Sequence, residues 1–247
     1  MKEKNAAVKL SDVNAVTSCA AFAAFDLNLC RALVQVAKDS SPATLQPTEH
    51  AVPSRRLIYH KRDLIEGVPI ICRGWAASAV TLSDGRRQIL SFLLPGDPIS
   101  TDLVFQPVSH CSVEAITDVR YRIFKRTEFK AALLNHPSLL DKLSKIWSEE
   151  TAQANQLAVD LGRRTADERI ARLVLNLLDR LTRRGLARDR VMDFPLRQHH
   201  VADATGLTVV HVGKVLSEFR RAGLLDIKDR SLAILDLPGL HRVADMR

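Results

Sequence analysis

The hydrophobic period of this chain changes sharply near residue 126, and that change limits the folds open to it. Before it, short runs rich in β-branched, aromatic and small apolar residues recur: RRLIYH, VPIICRGWAASAVTL, RRQILSFLL, HCSVEAI and VRYRIFK. The segments SDGR (83–86) and PGDP (95–98) punctuate them. Asp84-Gly85 between two apolar runs is a hairpin signal, because glycine accepts the positive φ of a tight two-residue turn. Residues 51–126 therefore read as a small all-β unit, a roll or barrel. From Thr127 the apolar residues recur every three or four positions, the helical period. Strands in one block and helices in the next place the chain in the α+β class.

Residues 1–50 divide in two. NAVTSCAAFAAFDLNLCRALVQVAKD reads as one Ala/Leu-rich helix, and the proline-bearing SSPATLQPTEHAVPS as a linker. Residues 127–162 carry a long helix after His136-Pro137, with Leu139, Leu143, Ile146, Trp147, Ala154, Leu157 and Leu161 largely on one stripe. A narrow apolar seam of that kind can pair with its own copy or pack on the β unit. In residues 163–247, TADERIARLVLNLLDRLTRRG opens with the capping-box spacing of Thr165 and Glu168 and presents a wide apolar face. MDFPL reads as a short strand, RQHHVADATG and LTVVHVGKVLSEFRRAG as two helices joined at Gly206, and LLDIKDRSLAILD as a hairpin turning at Lys228-Asp229-Arg230. Helix, helix–turn–helix and hairpin is the winged-helix order.

The charge is uneven. The formal net charge is +8, of which residues 162–247 carry +6. A basic C-terminal third points to a polyanionic partner, nucleic acid first. The uncharged run from Val13 to Phe25 falls short of the roughly 18 apolar residues that span a bilayer, and a soluble, cytoplasmic protein is expected. Cys19, Cys30, Cys72 and Cys111 form no C-x-x-C pair. Reduced thiols that ligate no obligatory metal are therefore expected.

DGRRQILSFLLPGD, then LGRR followed by ER, then LTVVHV ahead of FRRAGLL resemble the CRP/FNR family of bacterial transcription regulators, over about Arg55 to Asp236. The resemblance implies an N-terminal β-roll sensor, a dimerisation helix, and a C-terminal winged helix. Together these form a homodimer that binds a two-fold symmetric site on double-stranded DNA and meets RNA polymerase there. The family's cyclic-nucleotide binders use an acidic residue soon after the PGD turn and an Arg-Ser pair further on. Here Asp102 is displaced and no arginine lies between Arg87 and Arg120. A buried phosphate without a cation is poorly compensated, so no tight binding of cyclic AMP is expected. The N-terminal cysteines do not supply the tight cluster of the iron–sulfur branch, and nothing singles out His60, His110 or His136 as haem ligands. No cofactor is expected, and the effector stays unassigned.

Helix geometry sorts the stretch after Thr208. Val212, Val215, Leu216 and Phe219 share a face and must be core, whereas Val210, Gly213, Lys214, Ser217 and Arg221 fall near the opposite face. The resemblance puts the family's base-reading positions at Val209, Val210 and Lys214, with His211 at a phosphate contact. Valine methyls can pack on thymine C5-methyls, and Lys214 can donate to guanine O6 or N7. Thr208 is a natural N-cap whose helix terminus can hold a phosphate. Gly213 removes a side chain where helix and groove approach. Arg197, Gln198, Lys228 and Arg230 complete the candidate interface.

Two other functions are open to this sequence. One is a cyclic-nucleotide-type sensor acting through protein contacts, with the valines in a protein interface. The other is a metal-dependent cupin, which needs clustered His and carboxylate ligands, and the β unit holds no H-x-H element.

Overall fold

The computed structural model describes residues 28–39 and 45–245. Among the described residues, eleven strands and seven α-helices follow one another in an α+β arrangement. The roll is built from β1 (Thr48–Val52), β2 (Leu57–Tyr59), β3 (Gly67–Arg73), β4 (Ala76–Thr81), β5 (Arg87–Leu93), β6 (Ser112–Ala115) and β7 (Val119–Lys125). They form one sheet in the order β1-β7-β3 and another in the order β2-β6-β4-β5. Between the sheets lie Ile71, Leu93, Val113, Val119 and Tyr121.

β3 and β4 read as near-continuous apolar runs because both of their faces are covered. Behind β3, Val68, Ile70 and Phe124 pack with α1 (Leu29–Asp39), α2 (Arg126–Asn135) and the start of α3 (Pro137–Arg163). On the other flank, Trp75, Ala77, Ala79, Ile89, Phe92 and Leu94 join the core of the C-terminal unit. That unit comprises α4 (Ala166–Arg183), β8 (Ala187–Arg188), β9 (Val191–Asp193), α5 (Gln198–Thr205), α6 (Val209–Arg221), β10 (Leu225–Lys228), β11 (Ser231–Ile234) and α7 (Leu237–Ala244). Roll and winged helix thus share one hydrophobic core rather than meeting across a wet interface.

The capping box of α4 forms: the Thr165 N–H donates to Glu168 Oε2 at 2.7 Å, and the Glu168 N–H to Thr165 Oγ1 at 3.4 Å. Ile170, Val174, Leu177 and Leu181 of α4 are buried as its period requires. Cys30 and Cys72 are buried, Cys111 is partly buried, and none of the three is in a disulfide among the described residues. Cys19, and the stretch before residue 28 expected to be helical, lie outside the described residues.

Several expectations are corrected. Part of the expected linker, Thr48–Val52, is strand β1, bracketed by Pro47 and Pro53 and paired antiparallel with β7 from Thr48↔Ile123 to Val52↔Val119. The prolines mark its ends, where no ladder N–H is needed. Residues 127–162, taken as one dimerisation segment, hold two helices, and the long one starts after His136 as its spacing implied. The chain breaks at His136, whose backbone leaves the helical region, and Pro137 starts α3. Most consequentially, Leu139, Leu143 and Ile146 are sealed in their own chain's core, at 1%, 2% and 8% exposure. They are not free to form a seam with a second copy. The strand read in MDFPL is only Val191–Asp193, and α7 has no counterpart among the expected elements.

Candidate nucleic-acid interface

The two helices expected around Gly206 are α5 and α6. Gly206 has φ 66° and caps α5 in the left-handed region, which glycine occupies without a Cβ penalty. At the start of α5 the Arg197 N–H donates to His200 Nδ1 at 3.0 Å. Burial, reinforced by the charges of His199, Arg87 and Arg197, pushes the His200 pKa down to about 4, which keeps the ring a neutral acceptor for this cap. Thr208 caps α6 by accepting from the His211 N–H at 3.2 Å.

Burial divides α6 cleanly. Val212, Val215 and Phe219 are at 0%, 1% and 4% exposure. Val210, Lys214, Ser217 and Arg221 recur every three or four residues on the exposed side, with Val210 at 84% and Val209 beside it at 45%. At 84% exposure, the Val210 side chain gains little from burial within this chain. Among the described residues Lys214 pairs with Glu218, 4.0 Å away and one turn on, a pairing weak enough to exchange. Arg221 makes no ion pair with the described residues, whereas Arg220 is committed: its Nε donates to Asp226 at 2.8 Å and its Nη2 to the Ile227 carbonyl at 2.7 Å. Arg220 thereby staples the end of α6 to β10. The β10–β11 turn places Asp229 and Arg230 at φ 51° and 63°, and Lys228 and Arg230 are exposed at this tip.

The remaining expected site residues fall as follows. His211 and Arg197 are exposed. Gln198 is exposed as a residue, but its side-chain amide lies over Gly213: a Cβ at 213 would meet Gln198 Oε1 at 3.3 Å. The small residue at 213 thus leaves room for the Gln198 amide, beside its expected role of clearing the helix face toward the groove.

Sequence reasoning passed over a second group of residues. A cavity of about 570 Å³ lies between the roll, α3 and α4, lined among others by Gly96, Asp97, Ile99, Asp102, Glu150 and Leu157. Its carboxylates outnumber its cations. The two arginines in its wall, Arg180 and Arg184, are bound to Asp97. Burial raises the Glu150 pKa, against the hydrogen bonds it receives from Thr101.

Comparison with known proteins finds two matching families and several similar regulators. Residues 49–136 match the cyclic nucleotide-binding domain family and residues 168–243 the Crp-like helix-turn-helix domain family. The nitrogen fixation regulation protein FixK of Bradyrhizobium diazoefficiens is 30% identical over 183 residues, covering 74% of this chain and 76% of that protein. The transcriptional activator protein FnrA of Stutzerimonas stutzeri is 29% identical over 190 residues, 76% of each. The solved structure of FixK2 from Bradyrhizobium japonicum superposes with a TM-score of 0.73 at 30% identity, over 82% of this chain and 99% of that one.

Proposed function

This chain belongs to the CRP/FNR family of bacterial transcription regulators, and on that premise we propose that two copies of it bind an imperfect palindrome through α6 and there meet RNA polymerase. It is a sequence-specific DNA-binding regulator that acts in the cytoplasm. The observation that carries the reading of the site is the solvent-held stripe of Val210, Lys214, Ser217 and Arg221 on a helix whose opposite face is sealed. Selecting duplexes from a random-sequence pool tests it. The expected product is two half-sites about one helical turn apart, and recovery without sequence enrichment would count against it.

The side chains divide into readers and holders. Lys214 reads a base edge, Val209 and Val210 pack on thymine methyls, and Arg197 and Arg230 hold phosphates, with Thr208, His211, Gln198, Arg221 and Lys228 around them. Lys214→Ala should weaken binding by roughly 1–3 kcal/mol per half-site and relax preference at one base pair. Arg230→Ala should weaken all sequences alike and lower the salt slope by about one unit. Replacing the contacted thymines by uracil should weaken the wild type and leave Val210→Ala unaffected. Equal loss on specific and non-specific DNA for Lys214→Ala would remove its reading role.

The cavity between roll and α3 is poorly suited to a cyclic phosphodiester. Asp97 already holds both wall arginines, and Asp102, Glu149 and Glu150 add negative charge. Titration calorimetry with cyclic AMP should show no heat of binding. A micromolar dissociation constant would mean that Arg180 or Arg184 leaves Asp97 for the phosphate.

A further inference from the structure

The turn Pro95-Gly96-Asp97 leaves the roll at the end of β5 and meets the C-terminal end of α4. Asp97 faces two guanidiniums there. Arg180 Nη2 donates to Asp97 Oδ2 at 2.7 Å and to the Phe92 carbonyl at 2.8 Å. Arg184 Nη2 donates to Asp97 Oδ1, its Nε to the Pro95 carbonyl at 3.0 Å, and its Nη1 to the Arg180 carbonyl at 2.8 Å. The side chains of Arg180, Arg184 and Asp97 are 7%, 4% and 17% exposed. Asp97 is itself fixed to the roll: Oδ2 also accepts from the Leu94 N–H at 2.8 Å, and its carbonyl accepts from the Ile71 N–H at 2.9 Å.

Burying three charges is a costly way to stick two surfaces together, since apolar groups of similar volume do as well or better. What the ions add is direction. An apolar interface tolerates sliding. One carboxylate gripped by two planar forks, each also bound to a roll carbonyl, fixes both distance and rotation. The neighbouring contacts are looser: Gln88 Nε2 donates to the Ala204 carbonyl at 3.2 Å, and Arg87 Nε lies 4.0 Å from Asp203.

We propose that Asp97, Arg180 and Arg184 form a positioning clasp that sets the angle of α4, and with it α6, against the roll, and so holds the recognition stripe in its DNA-competent arrangement. This rests on α6 being the DNA-reading helix. The three residues also line the cavity, so a molecule bound there would touch the clasp directly.

Asp97→Asn removes the charge and keeps an acceptor for Leu94. Arg180→Lys with Arg184→Lys keeps the charges and removes the forks. Hydrogen exchange on the full-length protein without DNA reads the interface. Both variants should exchange faster along β5 and α5, which face each other across it, and at wild-type rates along β3 and β7. If the competent arrangement falls to about a tenth of the population, affinity for the duplex that wild type selects falls about tenfold, with the unfolding midpoint of the lysine pair near wild type. Unchanged exchange at β5 and α5 would overturn the clasp. So would faster exchange with unchanged or tighter DNA binding, or full recovery by the lysine pair, which would leave charge alone at work. If wild type selects no duplex, the DNA reading fails, and the exchange comparison alone decides the clasp.

Discussion

Trp147→Glu should turn the protein into a monomer and weaken its binding to a full palindrome by at least about a hundredfold. The size follows from linkage: joining two half-site readers raises overall affinity by roughly 10²–10⁴ without any new contact. Trp147 is 50% exposed on α3, where it leans on Phe105 with ring centroids 5.7 Å apart. It belongs to an exposed stripe that shares Trp147 and Ala154 with the seam expected from sequence and otherwise lies beside that seam. Leu140, Ser144, Trp147, Thr151, Ala154 and Ala158 alternate steps of four and three, the heptad spacing, and all are exposed. Leu140 is 54% exposed, and the small residues after Thr151 let a second helix approach closely. Light scattering at micromolar concentration, with gel shifts on full and half sites, checks this. Half-site affinity should be unchanged. A variant that stays dimeric, or a monomer that holds the full site as tightly as wild type, would end the idea. Ile146→Glu tests something else, because Ile146 lies in the chain's own core and a charge there unfolds it.

Phe219→Ala should cost about 3–5 kcal/mol of stability, the usual range for emptying a well-packed aromatic site. Against a total of about 5–15 kcal/mol for a typical domain, that is a large share of the stability. Phe219 is 4% exposed and sits on the buried face of α6 with Val212 and Val215, in the core that α4, the wing and the roll share. Because that core runs from winged helix to roll, denaturation should shift as one transition rather than split. Val210→Ala, at 84% exposure, is the control. It should stay within about 0.5 kcal/mol of wild type in stability while altering DNA readout. A loss below about 1 kcal/mol for Phe219→Ala would mean that the site collapses around the hole.

The winged helix was the most legible part of this chain. Its signals are local: a capping pair three residues apart, a glycine that must be left-handed, and apolar spacing that repeats within one helix. Such patterns report which face of an element is buried, and on α6 they separated Val212, Val215 and Phe219 from Val210 and Lys214. They do not report what covers that face. On α3 the same reasoning found the stripe of Leu139, Leu143 and Ile146 but left it open between a second copy and the β unit, and the roll, α1 and α2 claim it. The exposed stripe beside it carries few large apolar residues besides Leu140 and Trp147, so apolar spacing alone picked out only part of it.

By itself, then, the sequence determined the order of roll, long helix and winged helix, the turns between them, and the two faces of the recognition helix, because each depends on residues within a turn or two of one another. Only the tertiary structure decided the partners. β1 is a strand because β7, some seventy residues away, offers it a ladder. Gln198 fills the space left by Gly213 because α5 crosses α6 there. Asp97 holds Arg180 and Arg184 because the core they flank brings the end of β5 against the end of α4. A charge in sequence has a sign but no neighbour across so many residues, and it is the neighbour, with the water excluded between them, that makes a carboxylate and two arginines into a fixed joint.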